Sequence, residues 1–198
     1  MKFRKIIAAA LVVAMLLLLT SCGAPAETEL TGEWKGTVDI SQHLSQLSTV
    51  EIAENEITFD LIFIFGANGS FEAIVDQYSV KLMVEKLLDI VAEQLQETAD
   101  EKGISKQELR KILESAVDTD ALVASVQNSL QNGYYLYRDG VIYLSAEDNL
   151  AADPQKNAQE HLSVSVSGDT MVVQQITTDS YQHEQVLGGM LPLTFYKQ

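Results

Sequence analysis

Side chains able to carry out chemistry are few in this chain and widely spaced. The histidines stand at positions 43, 161 and 183, and no His-x-x-x-His or His-Glu-x-x-His pattern occurs. A zinc site needs three or four ligands, and a single cysteine, Cys22, excludes a cysteine-rich metal site and an internal disulfide. There is no Gly-x-Ser-x-Gly elbow and no phosphate-binding glycine loop. We therefore predict no catalytic residue, no metal and no cofactor, with a Ser–His–acid hydrolase as the least supported alternative.

Cys22 follows an N-terminal apolar run, which indicates a role for its thiol other than metal binding or disulfide formation. Basic residues at positions 2, 4 and 5 precede 14 uninterrupted apolar residues, from Ile6 to Leu19. Thr20 and Ser21, both small, then precede the cysteine. The run is typical of a signal peptide and is too short to span a bilayer comfortably, which takes about 20 residues.

The segment Leu19-Thr20-Ser21-Cys22 resembles the lipobox of bacterial lipoproteins. In that family the cysteine sulfur receives a diacylglyceryl group, and the signal peptide is cut just before it. The resemblance implies a signal peptide over 1–21, lipid attachment at Cys22 with acyl chains such as palmitate, and a tether over 22–31. Two or more acyl chains anchor a protein stably, so we expect the folded part at the extracytoplasmic face of the cell membrane. The alternative is an ordinary signal peptide, or an uncleaved anchor, with a chance cysteine.

The chain as a whole is strongly acidic and apolar enough to fold. Of 198 residues, 28 are Asp or Glu and 13 are Lys or Arg, which gives a formal net charge of −15, and 46% are hydrophobic. Nucleic-acid binding depends on clustered Lys and Arg, so no nucleic-acid partner is expected. Anionic head groups also repel an acidic domain, so the folded part should stand off the bilayer surface.

Alternation with a period of two predicts strands on either side of a helical segment. The first strand carries Trp34, Gly36 and Val38 on one face, and a long second strand runs over 57–65. Turn residues at 66–69, 139–140 and 168–169 predict three tight hairpins. The pattern over 41–55 is ambiguous: Ser41 could cap a short helical turn, and 49–52 could form a short strand. Residues 146–160 are predicted as a surface loop, and a last strand covers 191–196.

Residues 79–132 follow helical spacing and contain no proline. Three helices are predicted there. A capping box at Ser105-Lys-Gln-Glu108 opens the second, and Asp118 or Thr119 caps the third. Because the three helices carry apolar stripes, this insert should pack outside the barrel or across one of its mouths, unless the helices form a bundle of their own.

Together these elements predict a mainly β protein, α+β overall. We expect an antiparallel meander β-barrel of about eight strands over 32–198, with the insert of about three helices at 79–132. A sandwich of two sheets is the alternative architecture.

The tripeptide Gly32-Glu33-Trp34, at the start of the first strand, resembles the Gly-x-Trp opening of lipocalin-like (calycin-like) barrels. The hairpins over 134–145 and 162–178 and the closing segment 191–197 are similar to the later strands of small lipocalin-like domains, which occur in lipoproteins of Gram-positive anaerobes. The resemblance implies an interior able to hold a small apolar ligand. It also implies that Trp34 closes one end beneath a basic side chain, Lys197 or Lys35.

Aromatic residues of the first strands are the candidate ligand-binding residues, although aromatic residues that alternate with a period of two more often form plain hydrophobic core. Asp60 is either a polar group inside a ligand cavity or, as we prefer, a solvent-facing residue near the beginning of its strand. The candidate ligand-binding residues are Trp34, Phe59, Phe63, Phe65 and Phe71.

Two functions follow from this fold. The first is a membrane-anchored binding module for a small apolar or amphipathic ligand, which requires an open interior. The second is an interaction or scaffold lipoprotein of the cell envelope with a filled barrel, which acts on another envelope protein through the helical insert.

Overall fold

The computed structural model describes residues 30–47, 51–130, 132–178 and 190–198. The predicted signal peptide, the lipid-attachment site Cys22 and most of the tether lie outside the described residues. The described chain contains eight antiparallel strands that form a closed barrel in sequence order, and β8 closes on β1. The predicted meander barrel with an inserted helical segment is therefore confirmed.

The elements are numbered in chain order. The strands are β1 (Gly32–Asp39), β2 (Thr58–Phe65), β3 (Ser70–Val75), β4 (Asn132–Arg138), β5 (Val141–Ser145), β6 (Glu160–Ser167), β7 (Thr170–Thr178) and β8 (Leu193–Lys197). The helices are α1 (Ser41–Leu47), α2 (Gln77–Glu101), α3 (Lys106–Ala116), α4 (Thr119–Ser129) and α5 (Pro154–Asn157).

The hairpin turns form where glycine and aspartate accept a positive φ. In the β4–β5 turn, Asp139 has φ 53° and Gly140 has φ 77°, which suits the tight two-residue turn that matches strand twist. Gly36 serves a different purpose, because a Cβ atom there would lie 2.8 Å from the Phe195 ring and 2.8 Å from the Thr194 carbonyl oxygen. The missing side chain lets β8 pack its aromatic ring against β1.

The up-and-down path gives the barrel two distinct ends. The chain enters at Leu30, and the turns at 66–69, 139–140 and 168–169 lie at that same end, which we call the tether end. Strands β1 and β3 run away from the tether end, and helices α1 to α4 follow them in the chain. These helices therefore lie at the opposite end of the barrel, which we call the helix end.

Two of the three helices of the insert begin where the sequence predicts. Ser105 and Glu108 form the capping box of α3, and the side chain of Asp118 caps α4 by accepting a hydrogen bond from the Ala121 amide. Helix α2 starts two residues before the predicted boundary, because the Asp76 side chain caps it by accepting from the Ser79 amide at 2.7 Å. At the other boundary, strand β4 already begins at Asn132.

The segment predicted as a surface loop over 146–160 is partly structured. It contains α5, which Asp153 caps, and Leu150 is buried. The side-chain amide of Asn157 donates to the Asn149 carbonyl oxygen at 2.8 Å, which ties the segment to itself. Within 49–52, the suggested short strand is not present in the described residues 51 and 52, and 48–50 lie outside the described residues.

Candidate functional site

All five candidate aromatic residues face the barrel interior, where their side chains pack together. Phe63 stacks on Phe195 with ring centroids 4.6 Å apart, across the gap left by Gly36. Phe65 lies with its centroid 5.3 Å from Phe71. Trp34, Phe65 and Phe71 are buried, whereas Phe59 and Phe63 keep an intermediate exposure and pack against the same hydrophobic cluster.

These contacts fill the interior with side chains. Strands β4 to β8 complete the filling, and Tyr135 lies edge-on to Phe65 with centroids 4.8 Å apart. A barrel of eight strands is about the size that side chains can fill. Three clefts among the described residues are lined by none of the five candidate aromatics. The further residues of this core from those strands are Ile142, Leu144, Leu162, Val164, Met171, Val173, Ile176, Leu193 and Phe195.

Trp34 closes the tether end. Its indole nitrogen donates to the Leu30 carbonyl oxygen at 2.6 Å, and both residues are fully buried. The Lys197 ammonium lies over the ring, 5.3 Å from the centroid, within the range of a cation–π contact. Lys197, from the last strand, is therefore the basic residue that covers Trp34, and Lys35 instead pairs with Asp60.

The insert closes the helix end. Apolar side chains from α2 and α4 belong to the same hydrophobic cluster as the barrel interior, so the insert packs across one mouth, while Ala92 and Ala99 of α2 form a smaller second cluster with Leu109 of α3. The Ser79 hydroxyl accepts a hydrogen bond from the Asp60 amide at 2.9 Å, which fixes the start of α2 against the start of β2. The insert side chains in the shared cluster are Val80, Met83, Val84, Leu88 and Val123.

Side-chain amides join the insert to a short seam of the barrel wall, between β3 and β4. Strands β3 and β4 pair over only three residues, Ser70 to Glu72 on β3. Beyond that point, the Gln127 amide of α4 accepts from the Val75 N–H and donates to the Ala73 carbonyl oxygen, both at 3.0 Å. The Asn132 side chain accepts from the Ala73 N–H at 3.1 Å. These two amides supply hydrogen bonds that a longer β4 would otherwise make.

The insert also carries most of the exposed large apolar side chains. Five of the six such residues that the structure describes lie on α2, α3 and α4, and the sixth, Tyr196, lies on β8. The ion pairs Lys106–Glu93 and Arg110–Asp89 join α2 to α3 along one flank. Residues two positions apart on a helix differ by about 200°, so Leu95 and Ile112 face the opposite flank. The five exposed residues on the helices are Tyr78, Leu82, Leu95, Ile112 and Leu122.

A polar cleft of about 540 Å³ lies on the outer wall of the barrel, where β8, β1 and β2 run side by side. Asp60 lines it, so this carboxylate faces outward, as preferred from the sequence. Its oxygens bind the Lys35 ammonium at 2.8 Å and the Thr37 hydroxyl at 2.8 Å. The other lining residues are Asp39, Glu54, Asn55, Met190, Pro192, Leu193, Thr194, Tyr196 and Gln198.

Hydrogen bonds fix the charges in this cleft. The hydrogen bond that Lys35 donates to Asp60, together with the charge of that carboxylate, raises the pKa of Lys35 above its usual value. Burial alone would raise the pKa of Asp39, but the hydrogen bonds that Ser41 and Asn55 donate to its carboxylate lower that pKa further than burial raises it. Lys35 and Asp39 are therefore both charged at neutral pH.

Sequence reasoning identified Asp60 but not the cleft around it. The available signal was the set of outward residues on β1, Lys35 and Thr37, which alternate with the core residues of that strand. Their convergence with Tyr196 depends on the pairing of β1 with β8, in which Lys35 lies opposite Tyr196. The pairing of the first strand with the last is a property of barrel closure that no local pattern specifies.

The remaining polar candidates do not converge. His161 lies edge-on to Tyr143 with centroids 5.1 Å apart, and His183 lies outside the described residues. Within the described ranges, no three His, Cys, Asp or Glu side chains come together in a way that could hold a metal ion. In the same ranges we find no helix whose length and hydropathy would let it span a bilayer.

Comparisons with protein-family models, with curated proteins and with solved structures found no match to this chain.

The two hydrogen bonds of the Gln127 side chain should stabilise the attachment of the insert to the barrel. In Gln127→Glu, a carboxylate oxygen would replace the donor that faces the Ala73 carbonyl oxygen, so we expect the free energy of unfolding to fall by about 1–3 kcal/mol. Amide exchange at Val75 should accelerate as well. Gln107→Glu, on the exposed face of α3, makes the same chemical change away from the seam. Equal unfolding midpoints for the two variants in urea would contradict this role of Gln127.

Proposed function

We propose that this protein is a lipid-anchored extracytoplasmic lipoprotein with a lipocalin-like barrel, and that it acts as an interaction module of the cell envelope rather than as an enzyme. In this proposal, 1–21 is a signal peptide, Cys22 carries the lipid, and 22–31 is the tether. The barrel is a filled scaffold, and the helical insert binds another envelope protein.

The two ends of the barrel support this arrangement. The tether joins the barrel at Leu30, and the seven residues between Cys22 and Leu30 span at most about 25 Å. The insert lies at the opposite end, a barrel length farther from the tether. An anchor at Cys22 would therefore hold the tether end near the bilayer and direct the insert away from it.

The observation that carries the proposal is the concentration of exposed apolar side chains on the insert. Ile112 is 53% exposed and Leu95 is 42% exposed, on a flank free of the ion pairs that join α2 and α3. Contiguous apolar surface rimmed by polar residues is typical of protein-interaction sites. The insert contains ten acidic and six basic residues, so the matching partner surface is apolar with a basic rim.

Lipid attachment is tested at Cys22. In a bacterial host fed labelled palmitate, we expect the wild-type chain to incorporate label and to sediment with membranes. Cys22→Ala removes the sulfur that would carry the acyl chains, so label should be lost and the chain should leave the membrane fraction or keep an uncleaved signal peptide. Label retained in Cys22→Ala would contradict the lipoprotein assignment.

The interaction surface is tested by photo-crosslinking in cells with a photoreactive residue at Leu95 or Ile112. A discrete adduct with one envelope protein is expected at both positions, and binding to that purified protein should weaken as salt rises. The matched control places the same residue at Ser165, an exposed position on β6. Identical adducts from Ser165, or none from Leu95 and Ile112, would rule out the insert as the interaction surface.

The second candidate function is binding of a small apolar ligand in the barrel. It is favoured by one observation, that Phe59 and Phe63 face the interior and yet remain partly accessible. Titration with a fluorescent long-chain fatty acid is the test. Saturable binding, with the probe displaced by unlabelled fatty acid, would support this candidate over the filled scaffold, and no binding up to the solubility limit would exclude fatty acids as its ligands.

A further inference from the structure

The outer cleft has the construction of a ligand site, separate from both the insert and the barrel interior. Its volume of about 540 Å³ lies within the range of small-molecule pockets, about 300–1,000 Å³. The floor is a hydrogen-bonded sheet, in which β1 pairs with β2 along all eight of its residues and with β8 over three. Side chains on such a floor are held in place before a ligand arrives.

We propose that this cleft binds a short saccharide, and that it prefers saccharides carrying free amino groups. The lining combines carboxylates, hydroxyls and amides with one exposed aromatic ring. Sugars present many hydroxyl donors and acceptors around a ring with apolar C–H faces, so they require this mixture. The proposal does not depend on the function of the insert.

Two carboxylates in the cleft are preorganised acceptors. Asp60 is held by Lys35 and Thr37, and Asp39 is held by Ser41 and by the Asn55 amide at 2.9 Å. A carboxylate has about four lone-pair sites, so each retains capacity for donors from a ligand. Binding then requires little reordering of the protein, which favours affinity.

The charge balance of the cleft selects the ligand class. Lys35 is its one cation among the described lining residues, and Asp60 already neutralises it at 2.8 Å. Asp39, Asp60 and Glu54 outnumber that cation, so phosphates and uronic acids would meet net repulsion. An amino group on a sugar would instead gain a charge-assisted hydrogen bond to a carboxylate.

Tyr196 provides the aromatic surface. Its side chain is 58% exposed although it belongs to a barrel strand, and it lies opposite Lys35 in the β8–β1 pair. An exposed ring of this kind offers a flat apolar face to the C–H groups of a sugar and a negative face to an ammonium group. Met190 and Pro192 add apolar surface beside it.

Isothermal titration calorimetry of the full chain in detergent tests the proposal. The probes are a glucosamine trisaccharide, its N-acetylated form, maltotriose and a glucuronic-acid-containing trisaccharide. We expect saturable binding that is tightest for the free amino sugar, weaker for the two neutral sugars and undetectable for the anionic one. Either no saturable binding by any of the first three probes, or tighter binding of the anionic one, would overturn it.

Paired variants place the binding in the cleft. Tyr196→Ala should weaken binding of the glucosamine trisaccharide about tenfold or more, and Tyr196→Phe should retain most of it. The matched control is Tyr78→Ala, which removes an exposed tyrosine from the insert. Equal affinities for Tyr196→Ala and Tyr78→Ala would show that the sugar binds elsewhere and would overturn the assignment.

The role of the Asp60 carboxylate is tested in the same way, with Asp120 as the matched control. Asp60→Asn should weaken the amino sugar more than maltotriose, because the amide cannot pair with an ammonium group. Asp120→Asn breaks a similar lysine pair, Lys81–Asp120 at 2.9 Å, on the insert and should leave both affinities unchanged. Equal losses for the two sugars in Asp60→Asn would contradict the amino-group preference, and thermal melting confirms that each variant is folded.

Discussion

Closure of the barrel uses side chains as well as backbone at the seam between β3 and β4, where strand pairing alone does not complete the wall. Strand pairing there ends after three residues, and buried backbone groups without partners are costly. Gln127 and Asn132 supply the missing donors and acceptors from side chains. Helix α4 is therefore part of the wall, and the insert cannot be treated as an addition to an independent barrel. For that reason point substitutions on its exposed face are sharper probes than its deletion.

The filling of the interior follows from the same closure. Once eight strands surround a common axis, each inward position must be occupied by a side chain or left as a cavity, and a cavity lined by apolar groups destabilises the fold. Gly36 makes the arrangement specific, because its missing side chain lets Phe195 reach Phe63 and stack on it. The aromatic residues that could have lined a ligand pocket therefore pack against each other, and the surfaces proposed to bind partners lie on the outside of the molecule.

The sequence was most informative where a local pattern decides the structure. Alternation in β1 and β2, the positive-φ turn at Asp139 and Gly140, and the Ser105–Glu108 capping box depend on neighbours within a few residues. The seam at Gln127 and the cleft at Lys35 and Asp60 depend on residues that are distant along the chain, so no spacing reveals them. The prediction of a surface loop over 146–160 holds for most of that segment but missed α5 and one buried side chain. Among its mostly polar and small residues is one large apolar residue, Leu150, which is buried in the folded chain.

The separation of the surfaces has a functional consequence. Trp34 and Lys197 close the tether end. Among the described side chains at that end, Tyr196 on the outer wall is the one large apolar residue that is exposed. The apolar flank of the insert lies at the far end, and the polar cleft lies on the wall between them. A chain anchored at Cys22 could therefore contact a partner through the insert and a saccharide through the wall at the same time. Because neither contact needs the interior, the packed core can remain rigid and hold both surfaces in fixed relation.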